Sequence, residues 1–182
     1  YDCTNFFFEI EEAEGLKQYG KSKEHRPNPI VQMGLFLDGN GIPLAFDLTP
    51  GNTNEQKTLL PLEKRIMRDF ELSKLVVCTD AGLSSKTNRS FNSFANRAYV
   101  TVQSLKKLKQ HLKDWALDPQ AWHLNGSSTV FNLNDIDLED NTAVYTKERW
   151  IHENGLEERL IISFSPKYKR YQETIRGRQI ER

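Results

Sequence analysis

Two aspartates are placed where chemistry could happen. Asp80 follows the run Leu75-Val76-Val77-Cys78-Thr79 directly, and Asp2 stands at the head of YDCTNFFFEI. A carboxylate at the carboxyl end of a buried strand lies where open α/β sheets keep their binding crevices. Alone, such an aspartate ordinarily caps the turn that follows it. Two of them side by side repel unless a cation or a shared proton relieves them. Hard oxygen ligands with room for water suit Mg2+ or Mn2+. Two such ions bridged by aspartates can activate water or a 3′-hydroxyl and stabilise the leaving oxygen of a phosphodiester. Asp2 and Asp80 are therefore the candidate catalytic and metal-ligating residues.

The elements around them must bring them together. Residues 75–79, apolar and β-branched, predict a short buried strand. Residues 2–10 predict another, and the three consecutive phenylalanines Phe6, Phe7 and Phe8 imply that both of its faces are covered. Residues 20–29, GKSKEHRPNP, hold two prolines and cannot form a regular element. Residues 30–37 and 43–48 flank Asp38-Gly39-Asn40-Gly41, a strong turn signal, and predict an antiparallel hairpin. Leu59, Leu62, Ile66 and Phe70 repeat at helical spacing. Ser84 or Ser85 caps a second helix through about residue 96, and residues 98–103 form a further strand. This order, with right-handed crossovers, predicts an α/β fold: a mixed five-stranded sheet in the order 3-2-1-4-5. The first and fourth strands become neighbours and Asp2 faces Asp80, which is the ribonuclease-H-like arrangement. Residues 1–115 are expected to hold this core. Residues 116–165, with period-two stretches at 129–133, 142–151 and 159–164, predict a mostly β insertion outside the main sheet. Residues 166–182 predict a basic helical tail.

Composition restrains the reading. Lys and Arg number 25 against 25 Asp and Glu, so no global charge announces nucleic acid. No apolar run approaches a membrane span and no signal-peptide pattern opens the chain, so a cytoplasmic protein is expected. Two cysteines argue for a reducing compartment. Strand alternation puts Cys78 on the face of the two aspartates and Cys3 on the other, against a disulfide. The four histidines show no zinc-like spacing. Tyr1 starts mid-strand and the chain ends on a basic segment, as an excised piece of a longer protein would.

Several blocks together resemble one family. YDCTNFFFE, YGKSKEHRPNPIVQMGL, the hairpin, LTPGNTNE and VVCTDAGL are similar to the DDE transposases of bacterial insertion sequences. The most specific block carries Gly20, Ser22, Lys23, Arg26, Pro27 and Gln32, with Asn28 where the family usually has Asp. The resemblance implies a ribonuclease-H-like catalytic domain that cuts and joins transposon ends with an Asp-Asp-Glu triad and two Mg2+ or Mn2+ ions. It implies double-stranded DNA as partner, both transposon ends and target. It also implies a homodimer in the full-length protein and a place at the bacterial nucleoid. Asp2 matches the first acid and Asp80 the second. The third sits, in the family, in a Tyr-x2-Arg-x3-Glu-x6-Lys pattern. Neither Glu173 nor Glu181 has Arg and Tyr at those offsets, and Asp114 reads as a surface helix acid. The third acid is therefore expected beyond Arg182, and this fragment is expected to be inactive alone. Lys21, Lys23 and Arg26 are the candidate contacts to DNA phosphates. Trp122 and Trp150 could stack on an unpaired base or simply serve a core. The alternative function is a ribonuclease-H-like nucleic-acid-binding or scaffold domain without catalysis.

Overall fold

Asp38 closes the first hairpin. Its Oδ1 accepts from the backbone amides of Asn40 and Ile42, both at 2.8 Å. The Ile42 and Asn40 amides also hold its carboxyl below the usual carboxylate range. Gly41 takes φ +83°, which glycine adopts without steric cost. The turn joins β2 (Ile30–Leu37) to β3 (Pro43–Pro50), and β1 (Asp2–Phe7) pairs antiparallel with β2, Asp2 opposite Leu35. The computed structural model describes residues 1–181 and resolves the chain into two units, Tyr1–Ser104 and Leu105–Arg182.

In the first unit, α1 (Leu59–Asp69) leads to β4 (Leu75–Thr79), then α2 (Lys86–Asn92) and β5 (Arg97–Thr101). The strands β4 and β5 pair in parallel, Leu75 opposite Arg97. The fold is mixed α/β, but the strands form two sheets, β1-β2-β3 and β4-β5, rather than one ladder of five. Among the described residues a single backbone bond joins them: the terminal amino group of Tyr1 donates to the Cys78 carbonyl at 2.8 Å. Both sheets nonetheless contribute to one core. Leu59, Leu62 and Ile66 of α1 pack with Phe36 from the first sheet and Val77 from the second. Each of these helical residues is 1% exposed, so their burial supplies on the order of 2 kcal/mol apiece.

The opposite face differs from expectation. Phe6, Phe46, Val76 and Val100 are all at least half exposed. Alternation turns them away from α1, and no described element covers that face. The triple phenylalanine is therefore covered on one side only.

The second unit starts earlier than residue 115. Leu112 of its helix α3 (Gln110–Leu117), with Leu108 just before the helix, packs against Leu160, with Trp115, Ile151 and Ile162 around them. This stripe finds its partner in the β-rich part of the chain, so the division falls after Ser104. The sheet is antiparallel in the order β7-β6-β8-β9, made of β6 (Trp122–Leu124), β7 (Val130–Phe131), β8 (Tyr145–Glu153) and β9 (Leu156–Phe164). Among the described residues it shares no ladder with the first unit's sheets. Asn154 and Gly155, at φ 56° and 77°, make the two-residue turn between β8 and β9. The basic tail is helical, α4 (Pro166–Ile180), with Pro166 in its first turn and Ser165 accepting from the Tyr168 amide. Arg182 lies outside the described residues. Among the described residues no helix is long and apolar enough to cross a membrane.

Candidate acidic site

Asp2 is an exposed residue on β1, and its Oδ1 accepts from the Cys3 amide at 2.7 Å. Cys3 points the other way, 2% exposed, with its sulfur 3.4 Å from both the Tyr1 and Thr58 hydroxyls. Those two hydroxyls lie 2.7 Å apart. Burial pushes the Tyr1 phenol well above its ordinary range, so it remains a hydroxyl. Thr58 in turn donates to the Glu55 carbonyl at 2.8 Å. The start of β1 is thereby tied to the 3-10 turn Glu55–Lys57, which Asn54 caps by accepting from the Gln56 amide.

Asp80 ends β4 in an extended conformation and caps the 3-10 turn Ala81–Leu83, its Oδ1 accepting from the Gly82 amide at 3.0 Å. Leu83, 1% exposed, anchors that turn in the interior. From β5, Thr101 donates to the Asp80 carbonyl at 3.1 Å and meets Thr79 at 3.0 Å. The backbone of Asp80 is thus held from two sides while its carboxylate stays exposed. Cys78 is exposed and Cys3 buried, both free thiols, as strand alternation requires.

Each aspartate commits one oxygen to a backbone amide, and the other takes no hydrogen bond among the described residues. Two open carboxylate oxygens suit Mg2+ or Mn2+ with water completing the shell. Among the described residues no three His, Cys, Asp or Glu side chains converge.

Other acids near these elements are engaged elsewhere. Glu55 faces Lys23 at 3.8 Å, and Asp47 faces Arg65 at 3.8 Å. Glu63 on α1 is 0% exposed, and burial raises its carboxyl pKa against the opposing pull of Asn92 and Arg97. Asp114 belongs to the second unit, where Gln110 donates to it at 2.7 Å.

The basic loop splits into different roles. Lys21 is exposed, while its carbonyl accepts from Asn5 at 3.3 Å. Arg26 is exposed too, resting over the Phe7 ring at 4.9 Å with Glu24 at 3.7 Å. Lys23 is exposed as well, but its ammonium donates to the Cys3 carbonyl and lies beside Glu55. The loop that holds it is pinned by Ser22, 7% exposed, which accepts from the Arg26 amide, and by Asn5, which accepts from the Lys23 amide at 3.2 Å. Sequence reasoning missed the bond from Lys23 to the Cys3 carbonyl and the buried amides of Asn5, Asn88 and Asn92. A polar residue inside a strand or helix pattern carries no local sign of its burial. Comparison of the chain with protein-family models, with curated proteins and with solved structures finds no significant match.

Proposed function

We propose that this chain is part of the catalytic domain of a DDE transposase of bacterial insertion sequences, acting on transposon-end and target DNA. The observation that carries the proposal is the bond from Tyr1 to the Cys78 carbonyl. It supports the spatial order 3-2-1-4-5. Continued as a parallel ladder, its register sets Asp2 opposite Asp80. Asp2 and Asp80 would then be the residues to hold a divalent cation. Bound there, divalent cations supply Lewis-acid activation of the attacking water or 3′-hydroxyl and neutralise charge at the phosphodiester. The residues themselves orient: the Cys3 and Gly82 amides hold one oxygen of each aspartate and leave the other facing outward. With only two acids a second ion lacks a protein ligand, so the chain alone binds metal weakly and does not cut.

The test is a Mn2+ titration followed by the spin resonance of the free ion. Wild type is expected to bind with a dissociation constant on the order of a millimolar, and Asp80→Asn about tenfold more weakly. Equal binding by both proteins would move the metal elsewhere. A crystal structure with the carboxylates more than about 8 Å apart, too far to share an ion, would also end the assignment. DNA binding without any metal dependence would favour the non-catalytic scaffold reading. Nicking of transposon-end DNA by the chain itself would mean that its third acid is present. Glu173→Gln and Glu181→Gln would then identify it.

The DNA surface has its own expected result. Lys21→Ala with Arg26→Ala should lower the slope of log affinity against log salt by about one unit per lost phosphate contact. Lys23→Ala should instead act mainly on stability, because its ammonium is spent on the Cys3 carbonyl. An unchanged slope in the double variant would leave this loop as ordinary solvated surface.

A further inference from the structure

Asn88 of α2 is 4% exposed, and its side-chain amide makes two hydrogen bonds to segments outside its helix. Its Nδ2 donates to the Gln56 carbonyl at 3.0 Å and to the Leu83 carbonyl at 2.9 Å. Two carbonyl oxygens at that distance require the NH2 end of the amide, since the oxygen end would be repelled by both. Leu83 closes the turn that Asp80 caps, and Gln56 lies in the turn tied through Thr58 to Tyr1 and Cys3. One buried amide therefore joins the segment carrying Asp80 to the segment that holds the strand of Asp2. The helix bearing it is fixed from behind. Asn92, 1% exposed, donates to Glu63 Oε2 at 3.0 Å and to the Asn88 carbonyl at 3.2 Å.

We infer that Asn88 is the positioning residue of the acidic pair, setting how far the Asp80 turn stands from β1. The inference rests on the reading of Asp2 and Asp80 as a shared cation site. A shift of the Asp80 turn would leave the Gln56 or the Leu83 carbonyl without its donor inside the protein, where water does not replace it. The arrangement is thus stiff in the coordinate that decides whether two carboxylates can share one ion. Removing such an outer partner commonly weakens metal binding without touching a ligand.

The experiment compares Asn88→Leu with Asn92→Leu, two substitutions that replace a buried amide on the same helix with the same apolar shape. Mn2+ affinity is read by spin resonance below the melting temperature of each variant, together with amide hydrogen exchange at Gly82 and Leu83. Asn88→Leu is expected to weaken Mn2+ binding on the order of tenfold, and Asn92→Leu by no more than about twofold at a comparable loss of melting temperature. Exchange at Gly82 should accelerate in Asn88→Leu relative to amides of α1. Should Asn88→Leu fail to fold, Asn88→Ser, which keeps one donor, carries the same comparison with a smaller expected loss. Wild-type Mn2+ affinity in a folded Asn88 variant, or equal losses in both helix variants, would overturn the positioning role. If Asp80→Asn leaves Mn2+ binding unchanged, the site reading itself falls and takes this role with it. A loss in Asp80→Asn with none at Asn88 overturns the positioning role alone.

Discussion

Gly51→Ala is expected to unfold the first unit at temperatures where the unaltered protein is folded. A Cβ at Gly51 would stand 2.1 Å from the Ile30 carbonyl oxygen and 2.4 Å from that of Gln18. Both are backbone atoms of a bridge in which Gln18 and Ile30 exchange hydrogen bonds at 3.0 and 2.9 Å, so neither can swing aside as a side chain would. Gly51 also donates to the Leu16 carbonyl at 3.1 Å and accepts from Gln32 at 3.3 Å. Gly20 approaches from the other side, where an added Cβ would lie 1.9 Å from the Gly51 oxygen. Overpacking against movable side chains costs about 1–3 kcal/mol, and a contact with fixed backbone should reach about 3 kcal/mol or more. For a chain of this size that corresponds to a melting point lower by roughly 10 °C. Gly15 is the control: its φ is +55° but nothing lies within 4 Å of its Cβ position, so Gly15→Ala pays only the left-handed backbone term of about 1–2 kcal/mol. Thermal unfolding followed by circular dichroism separates the two. A Gly51→Ala shift no larger than that of Gly15→Ala would show that the crossing can relax.

That crossing explains why the loop with Lys21, Lys23 and Arg26 holds a defined place without regular structure. Its two glycines stood in separate blocks of the sequence, and only the folded chain brings them into contact. Other parts were open to reading because their cause is local. Leu75–Thr79 is a strand where its apolar run predicted one. The hairpin follows from Asp38-Gly39-Asn40-Gly41, and α1 from the spacing of Leu59, Leu62 and Ile66. What escaped depends on distant partners. The three residues of β6 are too few for a periodic signal between Pro119 and Gly126. Leu108 and Leu112 find their partner Leu160 some fifty residues on, which no local pattern foretells. Glu63 sits at a helical position where a glutamate ordinarily meets solvent, and only the Asn92 amide reveals it as interior. The bond from Lys23 to the Cys3 carbonyl likewise joins residues twenty positions apart.

The second large effect is expected at Trp122, where truncation to alanine should remove about 3–5 kcal/mol of stability from the second unit. Trp122 is 3% exposed and packs with Ala143 and Tyr145, surrounded by Leu124, Phe131, Leu133, Ile136, Ile162 and Phe164. Its indole donates to the Asp118 carbonyl at 2.8 Å and meets the Phe164 ring edge-on at 6.2 Å. Lys147, itself 4% exposed, donates to the same carbonyl at 2.6 Å. Its ammonium stands 4.7 Å from the Trp122 ring and 5.1 Å from that of Trp115. Burial lowers the lysine's pKa, so loss of the Trp122 face strips a poorly solvated cation of one of its aromatic neighbours. Trp122→Phe keeps most of the volume and leaves the Lys147 bond to Asp118, so it should cost much less, with the lost indole hydrogen bond worth about 1 kcal/mol. Trp150 stands in contrast at 61% exposed on β8. Trp150→Ala should change stability by no more than about 0.5 kcal/mol. Urea unfolding followed by circular dichroism orders the three variants. If Trp150→Ala proved as costly as Trp122→Ala, the division between a core and a surface tryptophan would be wrong. Of the two tryptophans first considered for base stacking, only Trp150 presents its ring to solvent. Quenching of wild-type fluorescence by single-stranded DNA, lost in a folded Trp150→Ala, would assign stacking to it. Quenching retained in that variant would leave Trp150 as plain surface and Trp122 as the anchor of its core.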